Sequence, residues 1–76
     1  MNKPNDTTIE AAIKANLGAL AELLADAANG AREAYSHAGA GERNIAIGAI
    51  VDLDRLLADA IALHGATVAL HRRAQH

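Results

Sequence analysis

Read as a helix, the segment from about Glu42 to Arg73 is apolar over more than half its circumference. One neighbouring helix covers a stripe, not a half-cylinder, so this segment needs more than one partner surface. In heptad notation Ile50, Leu57, His64 and His71 fall at position a, and Ala46, Leu53, Ala60 and Thr67 at d. Position g is apolar throughout (Ala49, Leu56, Leu63, Leu70), and e carries Ile47, Asp54, Ile61 and Val68. The first half of the chain has the same period. Leu17, Leu24, Ala31 and Ala38 fall at a and Ile13, Leu20, Ala27 and Ala34 at d, while Glu22, Asp26, Arg32 and Glu33 gather on the far side. Apolar residues recurring every three and four positions over about four heptads define an amphipathic α-helix.

Punctuation sets the boundaries. Thr7-Thr8-Ile9-Glu10 has the form of a capping box, in which the Thr7 hydroxyl accepts from the Glu10 amide and the Glu10 carboxylate reaches back. It predicts a lead-in over residues 1–7 and a first helix over about 8–38. Asn29-Gly30 is a turn-like dipeptide, but the apolar phase runs through it without a reset. The expectation is a continuous helix with a weak point, since a mid-helix glycine costs about 1 kcal/mol. Ser36-His37-Ala38-Gly39-Ala40-Gly41 reads as the break, with Gly39 in the left-handed position after the helix end. The turn is expected over about 39–41 and the second helix over about 42–73, where His71, Arg72 and Arg73 suit the negative end of the helix dipole.

A short connection makes the two helices antiparallel. With the turn centred near residue 40, facing positions have numbers summing to about 80. That places Ala31, Ala34 and Ala38 against Ala46, Ala49 and Ile50, and Ile9, Ile13, Leu17 and Leu20 against Ala60, Leu63, Thr67 and Leu70. It also sets Asn16 opposite His64 and Glu10 opposite His71. Polar pairs at a seam cost stability and fix register, so these four residues are expected to set the pairing.

The fold class that follows is all-α: an antiparallel two-helix hairpin, two copies of which pair into a four-helix bundle. A chain of 76 residues with no cysteine, one aromatic residue (Tyr35) and twenty alanines among its apolar residues has little bulk to bury. Domains this small usually require a disulfide, a metal or another subunit. A homodimer or a helical protein partner is therefore expected, with Leu53, Leu56, Ile61, Leu63, Val68 and Leu70 at the interface.

Several chemistries are disfavoured. A formal net charge of −2 is not the footprint of a nucleic-acid binder, and Arg72 and Arg73 sit at a helix end rather than along a face. No run of apolar residues is long enough to span a bilayer, and the polar N-terminus lacks a signal-peptide pattern, so a cytoplasmic location is expected. His64 and His71 are two helical turns apart, roughly 10 Å, too far to share one ion within a chain. Glu33 and His37 share a face, as solvent-facing ion pairs commonly do. Asp52, Asp54 and Asp59 with Arg55 read as a solvated band, and no nucleophile, phosphate loop or cofactor motif occurs. The pattern points to a non-enzymatic interaction, adaptor or regulatory module without catalytic residues, metal or cofactor. The alternatives are a nucleic-acid-associated regulator and a small-molecule or metal binder between helices around His64.

Overall fold

The computed structural model describes residues 4–75, with side chains from Thr7 onward. Every regular element among them is helical: α1 (Pro4–Gly39), α2 (Arg43–Val51) and α3 (Asp54–Ala74). The helix α1 packs antiparallel against α2 and then α3. The result is a thin rod of 60 × 14 × 13 Å. Its radius of gyration of 17.4 Å compares with about 11 Å for a globular domain of this length.

The first helix starts earlier than the capping box implies. Among the described residues α1 is already helical at Pro4. Thr7 therefore lies inside the helix, and only residues 1–3 of the expected lead-in fall outside the described residues. The helix passes through Asn29-Gly30 without interruption.

Its end also departs from expectation. Gly39 is the last helical residue, and the left-handed position belongs to Gly41, at φ 81°. The Glu42 N–H donates to the His37 carbonyl at 2.9 Å and the Gly41 N–H to the Ala38 carbonyl at 3.0 Å. This pair of bonds is the Schellman arrangement with Gly41 as its left-handed residue. The His37 ring Nδ1 lies 2.9 Å from Glu42 Oε1 across the same turn, on the surface.

The expected second helix is divided. At Asp52 and Leu53 the backbone stays helical but tightens, and the Leu53 N–H donates to the Ile50 carbonyl three residues back, at 3.0 Å. The next bond, Leu57 N–H to the Leu53 carbonyl at 2.9 Å, restores the α-helical spacing. The chain direction and the apolar phase both continue across the join.

The buried centre of the seam between the helices is mostly alanine. The buried positions are Ala27 and Ala34 on α1 and Ala46, Leu53 and Ala60 on the return limb. All five are heptad position d. Their flanks are mostly g residues, Ile9, Leu23 and Gly30 on one side and Ala49, Leu56, Leu63 and Leu70 on the other, all half-buried. Alanine lets two backbones approach closely but buries little area, and no side chain is fully enclosed. Leu53, 8% exposed, is the one large residue in the buried set. It fits because α1 has no side chain opposite: a Cβ built on Gly30 would lie 2.5 Å from Leu53 Cδ2. Gly30 is thus a notch for Leu53 as well as a gap in helix propensity.

Candidate functional site

Because the seam runs along d and g, the a and e positions of both limbs turn to one side of the hairpin. In antiparallel helices these positions fall on the same side, and the grooves agree. One shallow groove is lined by Leu20, Leu24, Leu57, Ala60, Ile61 and His64, drawn from both limbs. The large exposed apolar residues concentrate there. Leu17, Leu24, Ile50 and Leu57 hold position a, and Tyr35, Ile47 and Ile61 hold e. Ile61 is 72% exposed and Tyr35 84%. Val51, at b, borders this face, and Ile45 lies off it, beside the turn.

The reverse side has the opposite chemistry. Its groove, over the Gly30–Leu53 contact, is lined by Asp26, Glu33 and Asp52 together with Asn29, Ala49 and Leu56. These three carboxylates are all at heptad position c, and Asp59 occupies the next c position on α3. The hairpin therefore carries an apolar face and an acidic face on either side of an alanine seam. Apolar area exposed to water gains about 25 cal/mol per Å² when covered, whereas bringing carboxylates together costs energy. One face is suited to association and the other to solvation.

The residues expected at a partner interface divide between two places. Ile61 stands on the open face. Leu53 is enclosed in the seam by the Gly30 notch, and Leu56, Leu63, Val68 and Leu70 are half-buried along the seam. Four of these six sit at g or d, the pair of positions through which α1 and the return limb meet. Ala31, Ala38, Leu17 and Ile50, expected in the seam, are exposed for the same reason: they hold a, on the open side. Leu17, Leu24, Ile47, Ile50 and Leu57 belong to the open face, and the signal for them was their common a and e phase.

The two polar pairs are also placed by phase. Asn16, at g, is half-buried in the seam, while His64, at a, is exposed beside Ile61 in the apolar groove. Glu10 and His71 are both exposed at a, near the open end of the rod. Neither pair forms a hydrogen bond or ion pair among the described residues. The polar contacts that do form are local: the Arg32 guanidinium donates to Asn29 Oδ1 at 3.1 Å, and the Thr67 hydroxyl to the Leu63 carbonyl at 2.7 Å. No three His, Asp or Glu side chains among the described residues are grouped to hold a metal ion. No described helix is long and apolar enough to cross a membrane.

Comparison with family models, with curated proteins and with solved structures gives no match for this chain.

Proposed function

We propose that this chain is a non-enzymatic association module, a small adaptor or regulatory protein whose open a/e face takes up another pair of helices. The observation that carries the reading is the asymmetry between the two faces. Leu17, Leu24, Ile50, Leu57, Ile47 and Ile61 stand exposed at a and e on one side of the seam, and the carboxylates of Asp26, Glu33, Asp52 and Asp59 stand at c on the other. A seam whose buried centre is four alanines and one leucine, flanked by half-buried leucines, gives two long helices limited support, because helices in proteins draw most of their stability from packing of an amphipathic face. A chain with this distribution is completed by association.

Size-exclusion chromatography with light scattering tests the proposal. At micromolar concentration it predicts a species of at least twice the 7.8 kDa chain mass. A folded, stable species at the single-chain mass overturns it.

A second reading has one observation in its favour. His64 is the only hydrogen-bonding side chain in the apolar groove formed with Leu24, Leu57 and Ile61, and a small apolar ligand with one polar group would suit it. That reading predicts His64 imidazole shifts on titration with such a ligand and none on dilution. The association reading predicts the reverse.

A further inference from the structure

We propose that the occupant of the open face is a second copy of this chain, placed with both turns at the same end of a four-helix bundle, so that α1 of each copy lies on the α2–α3 limb of the other. This rests on the association reading above and adds the partner and its orientation.

The area supports a protein partner of this size. The chain exposes 5900 Å², whereas a compact monomer of its mass exposes about 4,400 Å². The excess, about 1,500 Å², exceeds the ~800 Å² that each partner buries in a standard interface. The acidic faces point away from each other in this arrangement, so no carboxylate at position c opposes another across the interface.

Orientation follows from side-chain size and charge. Within the hairpin, residues at one level have numbers summing to a little over 80: Leu24 and Leu57 share a groove, as do Gly30 and Leu53 and Ala12 and Leu70. A two-fold axis parallel to the helices keeps those levels between copies. Ala31 then faces the partner's Ile50, Ala21 the partner's Ile61, and Leu24 the partner's Leu57. Glu10 faces the partner's His71 at the open end, and the exposed carboxylate of Asp54 faces the partner's Ala28, which leaves room for water. Large meets small at Ala31–Ile50 and Ala21–Ile61, the condition for even packing there, while Leu24–Leu57, Leu17–His64 and Tyr35–Ile47 pair large residues with large.

An axis across the helices, with turns at opposite ends, gives a poorer match. Centred on Leu24 and Leu57, it stacks α1 on α1, with Ala21 against the partner's Ala28. It also stacks α3 on α3, with Leu57 on the partner's Leu57 and Asp54 against the partner's Ile61. In that arrangement Leu24 also meets the partner's Leu24, Asp54 loses its room for water against the partner's Ile61, and Glu10 faces the partner's Ala38 rather than the partner's His71.

The chain has no cysteine, so Ala40→Cys gives one spin-label site per copy, in the turn and away from the open face. Pulsed dipolar spectroscopy on the labelled full chain reads the turn-to-turn distance. Neighbouring helices pack about 8–10 Å apart, so turns at the same end give a label separation under about 30 Å. Turns at opposite ends give a separation near the 60 Å length of the rod, which overturns the orientation but leaves self-association standing. A single-chain mass with no dipolar signal overturns both. A size swap adds a second readout. Ile61→Ala should weaken the dimer about tenfold, and adding Ala21→Leu should recover part of that loss; no recovery contradicts the facing of these two positions.

Discussion

The two faces of this hairpin share a backbone and a length and differ only in heptad phase. Positions a and e carry Leu17, Leu24, Ile47, Ile50, Leu57 and Ile61, and position c carries Asp26, Glu33, Asp52 and Asp59. Between them, d and g form a seam whose buried centre is alanine except for Leu53, with half-buried leucines along its flank. The comparison teaches that a two-helix protein can keep a full stripe of large aliphatic residues outside its own seam. The seam fixes the register of the two limbs through close approach, and the outer face supplies the area that a single hairpin lacks.

The largest expected effect comes from truncating Leu53, the large side chain most deeply buried in the seam. Leu53→Ala should cost about 2–5 kcal/mol, the range for truncating a buried leucine, and leave most of the chain unfolded by circular dichroism at room temperature. An unchanged melting curve would mean that the seam contributes little. Next is the contrast between faces. Leu57→Asp places a charge on the apolar face and should shift the chain to its single-chain mass at micromolar concentration, because an unpaired charge is not buried without heavy cost. Asp59→Lys, on the acidic side, should leave the mass unchanged. Equal behaviour of the two variants in sedimentation would erase the distinction between the faces.

Glycine substitutions sharpen the comparison at smaller scale. Gly30→Ala must displace Leu53 Cδ2, and overpacking costs about 1–3 kcal/mol against about 1 kcal/mol of gained helix propensity. A net loss of about 1 kcal/mol is expected in chemical denaturation, and it should vanish in the Leu53→Ala background. Gly18 has open space where a Cβ would go, so Gly18→Ala should gain about 1 kcal/mol. Stabilisation by both would remove the notch from the description. The smallest effect is expected at the surface pair His37 and Glu42: Glu42→Gln should change stability by no more than about 0.5 kcal/mol, measured by the same denaturation.

Much of this was legible in the residue pattern. Of the d positions assigned from periodicity, Ala27, Ala34, Ala46, Leu53 and Ala60 are buried and Ile13, Leu20 and Thr67 half-buried. The uninterrupted phase through Asn29-Gly30 correctly implied a continuous helix. What periodicity left open was which flank of d, the a side or the g side, completes the seam. Both flanks of the second limb are apolar, so hydrophobicity does not choose between them. Bulk decides only locally, at the Gly30 notch that admits Leu53; elsewhere g carries Leu23, Leu56, Leu63 and Leu70, as bulky as Leu24 and Leu57 at a. The facing rule, with sums near 80, sets Gly30 level with Ile50 rather than Leu53, so the Gly30–Leu53 notch needed the three-residue offset that only the structure supplies. The left-handed residue fell at Gly41 rather than Gly39 because the helix runs through Gly39 before the Schellman bonds close, and composition alone does not separate two glycines two residues apart. The tightening at Asp52 and Leu53 has no sequence signal of its own; it coincides with the one large side chain that enters the seam.

The most direct test of the claim that one hairpin is incomplete is the concentration dependence of its thermal midpoint. A species that binds the folded chain and not the unfolded one raises stability by mass action, so a self-completing module must melt later as it is concentrated. From about 1 to about 100 μM the midpoint should climb by several degrees. A midpoint that stays constant across that range, with the chain folded throughout, would show that the hairpin stands alone and that its open face needs no second copy.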